Sequence, residues 1–113
     1  MQIVREKIAL DELKKMSEKM YNSLVKAVVD IENNFMVVDV EMHVDAEMVM
    51  LEDGSQQEFL WGINIHPELT SDDWIEFDSM INIRPSQNNR TRGVDDKTLQ
   101  KKIKQVVSKL VVK

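Results

Sequence analysis

The stretch Phe35-Met-Val-Val-Asp-Val-Glu-Met-His-Val-Asp45, FMVVDVEMHVD, decides how the chain is read. Met36, Val38, Val40, Met42 and Val44 alternate with Asp39, Glu41, His43 and Asp45. Side chains alternate across a strand, so a period of two gives one apolar and one polar sheet face. The segment before it, Val25–Glu32, sets Val25, Ala27, Val29 and Ile31 against Lys26, Asp30 and Glu32, a second half-buried strand. Between them Asn33-Asn34 tolerates a positive φ and predicts a hairpin turn.

Working outward, Glu47–Glu52 reads as a short strand closed by the Asp53-Gly54 turn. Glu58–His66 follows, with Phe59, Trp61, Ile63 and Ile65 toward the core and Gly62 marking a bulge or a close backbone approach. After a loop over Pro67–Asp73, Trp74–Arg84 alternates again, Ile75, Phe77, Ser79, Ile81 and Ile83 opposing Glu76, Asp78, Asn82 and Arg84. A short strand at Gln2–Glu6 and two helices complete the pattern. The first helix runs from about Leu10 to Tyr21, poorly capped by Ala9, with Leu13, Met16, Met20 and Leu24 at helical spacing. The second is capped by Asp95 or Asp96 and carries Leu99, Ile103, Val106 and Leu110. The expected fold is α+β: an antiparallel β-meander of four to five strands with the N-terminal and C-terminal helices packed on one face.

A chain of 113 residues is long enough for one buried core, and a single domain over residues 1–113 is expected. The absence of cysteine removes disulfides, thiolate metal sites and thiol catalysis, and fits a cytoplasmic protein. No apolar run is long enough for a signal peptide or a bilayer span. The net charge of −5 conceals a division, since residues 1–83 carry −12 and residues 84–113 carry +7. Such asymmetry marks either a polyanion-binding segment or an electrostatic fit between two parts of one molecule. Six of the late basic residues are lysines on the last helix, and a lysine-rich outer face is ordinarily solvated.

Three segments, VKAVVDIE (25–32), WGINIHP (61–67) and WIEFDSMINIRPSQNNRTRGV (74–94), together with the flanking helices, resemble a small prokaryotic family catalogued only as a domain of unknown function. The resemblance covers nearly the whole chain and implies one compact domain, but no chemistry. The family pattern has glycines where this chain has Asp39 and Val40, which offers a second position for the bend, nearer Asp39.

The polar sheet face is expected to display Lys26, Asp30, Glu32, Asp39, Glu41, His43, Asn64, His66, Glu76, Asp78, Asn82 and Arg84. Such a face is often merely solvated, with cross-strand ion pairs. Its amides, imidazole and guanidinium near an arginine-bearing loop suit recognition of a small anion or phosphate instead. The expected ligand-binding set is Asn64, His66, Asp78, Asn82, Arg84, Asn89, Arg90 and Arg92. Arg84 and Arg90 would clamp the anion while Asn64 and Asn82 orient it, and Arg84→Ala with Arg90→Ala would abolish binding without unfolding the chain. Asp95 and Asp96 oppose a phosphate at the last helix by filling its cap.

No P-loop, dinucleotide fingerprint or nucleophile motif is present, so no reaction and no cofactor is named. Along one strand, residues two apart stand roughly 6 to 7 Å from each other, so Asp39, Glu41, His43 and Asp45 cannot ligate one ion together. A metal-assisted hydrolase would need Asp30 or Asp78 brought beside His43. A nucleic-acid binder could use Arg84, Arg90, Arg92 and the lysines with Trp74 for stacking, but the acidic body opposes it. A protein-interaction or homo-oligomerising module remains the main alternative to the anion binder, and no membrane partner is expected.

Overall fold

The computed structural model describes residues 1–20 and 23–113. It is an α+β fold. Strand β1 (Gln2–Val4), strand β2 (Ile8–Ala9) and helix α1 (Leu10–Ser17) precede the hairpin of β3 (Val25–Asp30) and β4 (Phe35–Val38). Helix α2 (His43–Glu52), β5 (Leu60–Ile65), β6 (Ile75–Glu76), helix α3 (Lys97–Leu110) and β7 (Val111–Val112) follow. Five strands form one antiparallel sheet in the order β1-β4-β3-β5-β6. The hairpin thus sits at the centre instead of following a simple meander. A separate parallel pair, β2 with β7, ties the start of α1 to the end of α3.

Near the two ends of the chain, α1 and α3 pack on the same sheet face. Leu13, Ile103, Val106, Val107 and Leu110 meet Val25, Ala27, Val29, Met36, Val38, Trp61, Ile63 and Ile65 there, all buried. Both apolar stripes follow the helical period read from the sequence. Helix α1 is shorter than expected, because its regular bonding ends at Ser17, whose hydroxyl donates to the Lys14 carbonyl. Tyr21, the expected last residue of that helix, lies outside the described residues. Ala9 is the N-cap and offers no side-chain bond, as its chemistry requires.

The opposite face departs from expectation. Strand β4 ends at Val38 because Asp39 adopts φ 63°, a left-handed conformation that glycine takes freely and Asp takes only at some cost. The hairpin turn is nevertheless at 31–34, with Asn34 at φ 58°. Two bends therefore exist, and the chain beyond the second forms helix α2 instead of continuing as a strand. Of the expected strand over 36–44 only the part up to Val38 is strand, and its far end together with the expected strand over 47–52 is one helix from His43 to Glu52. Ala46 and Met50 press onto Val28, Phe35, Val37, Val40 and Leu60, a second layer of core. The sheet is therefore covered on both sides, and the polar face is confined to its two ends.

The expected strand over 74–84 is likewise reduced to Ile75-Glu76. The Ser79 hydroxyl accepts from the Ile81 backbone and opens a single 3-10 turn over Met80–Asn82, which pulls the chain out of the ladder. The Asn82 side chain replaces the missing strand. Its Oδ1 accepts from Gly62 N–H at 2.8 Å and its Nδ2 donates to Gly62 C=O at 2.9 Å. The close approach expected at Gly62 is real: a Cβ there would stand 2.5 Å from Ser79 Cβ. No described helix is long and apolar enough to cross a membrane.

Candidate functional site

Where β6 leaves the sheet and the N-terminus of α2 approaches it, a cleft of about 590 Å³ opens. Its floor is a cross-strand row fixed by register. Lys26 on β3 pairs with Asn64 on β5, and Asn64 pairs with Glu76 on β6. Directly opposed residues on neighbouring strands share a face with Cβ atoms roughly 5 Å apart, so cation, amide and carboxylate stand side by side. His66 lies two residues beyond Asn64 on the same face. His43, at the start of α2, and Asp78 and Arg92, from the segments after β6, complete the polar lining.

The row is wired internally. Asn64 Nδ2 donates to Glu76 Oε1 at 3.0 Å, and His66 Nε2 approaches the same oxygen at 3.2 Å. The Asn64 amide first, and His66 after it, hold the Glu76 carboxyl below its ordinary range against the opposing effect of partial burial. Because the carboxylate needs a donor, the amide orientation is determined, and Asn64 Oδ1 must point elsewhere. That oxygen is buried and has no hydrogen-bond partner among the described residues. Asn64 as a whole is only 6% exposed.

His43 sits with its ring over Gly62, and its Nε2 lies 2.8 Å from the Ile63 carbonyl. A carbonyl only accepts, so Nε2 carries the hydrogen, and in the neutral ring Nδ1 is an acceptor. Burial lowers the His43 pKa, helped by the charge of Lys26; the Ile63 bond, Asp78 and the Asn64 amide work in the other direction. Arg92 Nε donates to Asp78 Oδ1 at 2.7 Å, which leaves its two terminal amino groups without a partner among the described residues. Lys26 Nζ donates to the Glu41 carbonyl at 2.9 Å and keeps two further protons. Met42, the N-cap of α2, supplies no side-chain cap, so first-turn N–H groups are left open beside the cleft.

Four of the eight residues expected at a ligand site, Asn64, His66, Asp78 and Arg92, line this cleft. Three others are turned inward and hold the loop together. Asn82 is fully buried and bonded to Gly62 and to the Arg92 carbonyl. Arg84, 9% exposed, donates to the carbonyls of Gln57, Leu60 and Ile81 and stacks on the Trp61 ring at 4.3 Å. Burial lowers its pKa, while the charge of Glu47 acts the other way. Asn89 Nδ2 donates to the carbonyls of Asn82, Thr91 and Gly93, and its Oδ1 accepts from Asp95 N–H. With their donors spent on backbone carbonyls, Arg84 and Asn82 are not placed to clamp or orient an anion in the cleft. Arg90 is exposed and outside the cleft lining, its backbone N–H bound to Asp95.

The expected obstacle at α3 is present, since Asp96 Oδ1 caps Thr98 N–H at 2.7 Å. The Thr91 hydroxyl and the Arg90 N–H hold the Asp95 carboxyl below its ordinary range. Asp30, expected on the polar face, lies at the far end of the sheet, where it accepts from Glu32 N–H, Asn33 and Ser55. No group of three or more His, Asp or Glu side chains converges as a metal ion would need among the described residues.

The expected ligand-binding set left out Lys26, His43 and Glu76, although His43 was weighed as a metal ligand. Lys26 and Glu76 were visible on the polar face; His43 was assigned to a strand. A signal existed for it, because His43, Ala46, Glu47 and Met50 recur at i, i+3, i+4 and i+7, the spacing of one helix face.

One family model, described as "Protein of unknown function (DUF5674)", matches residues 2–110. No curated protein and no solved structure matches the chain.

Proposed function

The chain belongs to the family described as a protein of unknown function, DUF5674, and we propose from its site that it binds a small anionic or phosphate-bearing ligand in the cleft. The observation that carries this reading is the convergence of Arg92 and Lys26 on one cavity, each with donor hydrogens left over. Arg92 is held by Asp78 through Nε, so its outer edge is presented as a two-pronged fork, the geometry that matches carboxylate and phosphate oxygens. The uncapped first turn of α2 adds N–H groups and the positive end of the helix dipole.

Arg92→Ala and Lys26→Ala, singly and together, test the reading by titration calorimetry with inorganic phosphate and short-chain phosphate and carboxylate esters and salts at low ionic strength. Binding in the wild type that falls about tenfold or more in each single variant, with unaltered thermal stability, supports the site. Retention of affinity in the double variant refutes it. A second reading, association with another copy of the chain, is favoured by the outer face of α2, where Val44, Met48 and Leu51 are exposed in helical succession. A mass that rises with concentration, and reverts to monomer in Met48→Lys, would establish that reading.

A further inference from the structure

A pure oxyanion leaves half of this cleft unexplained. Resting on the anion-binding reading, we infer that the ligand is zwitterionic: besides its anionic group it presents a primary ammonium to the corner formed by Asn64, His43 and Glu76. Asn64 Oδ1 is a carbonyl-type acceptor, buried and without a partner among the described residues. Leaving such an atom dry is costly, because it forgoes the hydrogen bonds it makes with water in the unfolded chain. The amide cannot rotate to escape this, because Nδ2 is committed to Glu76. The cleft lining therefore contains an acceptor that only a donor can satisfy.

His43 stands beside this amide, its Nε2–H engaged on the Ile63 carbonyl and its ring close enough to Asn64 for the two to interact. Glu76 supplies the negative charge, with a second carboxylate oxygen beyond the one used by Asn64 and His66. A neutral acceptor beside a carboxylate matches the donor hydrogens and single charge of an ammonium. The two would repel another oxyanion. Lys26 and Arg92 line the same cavity, so a ligand that answers both signs of charge carries an anionic group and an ammonium, the pattern of an amino acid or an amino-alkyl phosphate.

Matched probes separate the two halves. Calorimetry compares 2-aminoethyl phosphate with ethyl phosphate, and 4-aminobutyrate with butyrate, pairs that share an anion and differ by the ammonium. The expected result is that each amine binds about tenfold or more tightly than its partner. In Asn64→Leu, checked for an intact fold by thermal denaturation, that preference shrinks toward unity while the residual anion affinity persists. Equal affinity within both pairs overturns the zwitterion inference and leaves the anion site standing. Loss of all binding in Arg92→Ala with the amine preference gone in Asn64→Leu supports both ends. Binding of none of the four probes to the wild type overturns the anion reading and this inference with it. Should Asn64→Leu fail to fold, the wild-type comparison within each pair decides alone.

Discussion

Asn82, Arg84 and Asn89 show why residue type alone misleads about a site. All three carry the planar, multidentate groups that recognise anions, and all three spend them on backbone carbonyls. The chain from Ser79 to Asp95 has almost no ladder of its own, so side chains must satisfy groups that strand pairing would otherwise cover. Arg84→Ala is therefore expected to lower stability by about 3 kcal/mol, since several buried carbonyls lose a charged donor. Arg84→Lys should rescue little, because one ammonium cannot reproduce the fork or the stacking on Trp61. Urea denaturation checks both, and an Arg84→Ala protein as stable as the wild type would return Arg84 to the list of ligand contacts. Gly62→Ala is expected to cost ~1–3 kcal/mol through overpacking against Ser79. Ser79→Gly in the same chain removes the Cβ and hydroxyl that the new methyl meets, so the double variant should recover part of the loss. A double variant as unstable as Gly62→Ala would place the strain in the His43 ring, 3.2 Å from the same methyl position.

At the scale of elements, the half of the fold that was legible is the half whose apolar periodicity is unopposed. In α1 and α3 one stripe faces the sheet and the other sides are charged, so the helical period stands out. Helix α2 conceals itself. Its inner face mixes Ala46 and Met50 with His43 and Glu47, while Val44, Met48 and Leu51 face outward, and apolar residues on both sides cancel the amphipathic signal. Ahead of it and into its first turn, Val38, Val40, Met42 and Val44 continue an apparent strand period across a break that only the backbone of Asp39 reveals. One sign of a second layer was present: Phe35–Val38 is continuously apolar and Val28 falls on the supposedly polar side of β3, as strands buried on both faces do. The inward His43 also gives α2 a pH dependence. Its pKa in the folded protein is below the ordinary 6.5, so as pH falls the unfolded chain takes the proton first. Its stabilising contribution is complete above 6.5 and is lost as pH drops from there toward the folded value. Unfolding free energies at pH 7.5 and 5.5 should differ more for the wild type than for His43→Gln. An equal difference would show that His43 remains as solvated in the folded protein as in the unfolded one.

On the scale of the whole molecule, the charge division read from the sequence survives folding without being neutralised. The ion pairs among the described residues join Arg5 to Asp53, Lys19 and the N-terminus to Asp39, His66 to Glu76 and Arg92 to Asp78; none uses a lysine of α3. Arg92–Asp78 is the one ion pair among the described residues that links the basic end to the acidic body, so an electrostatic fit through the lysines of α3 is not what joins them. Apolar packing does so, together with the two-residue parallel pairing that brings Ile8-Ala9 against Val111-Val112. Both partners of the first pair are buried, Ile8 at 2% exposure and Val111 at 8%, and Lys7 Nζ donates to the Lys109 carbonyl alongside them. A pairing between residues at opposite ends of the sequence leaves no local pattern, which is why neither strand was legible. Removal of Val111–Lys113 should expose Ile8 and delete the buried Val111 side chain, for a loss of about 2 kcal/mol. The cleft lies on the other face of the sheet, so ligand affinity measured on the folded truncated chain should match the wild type. Thermal and urea denaturation read the first effect and calorimetry the second. A truncated chain of undiminished stability would mean that α1 and α3 hold the two ends together by side-chain packing alone, and a weakened affinity would mean that the two faces of the sheet are coupled through β3 and β5, the strands that carry Lys26 and Asn64.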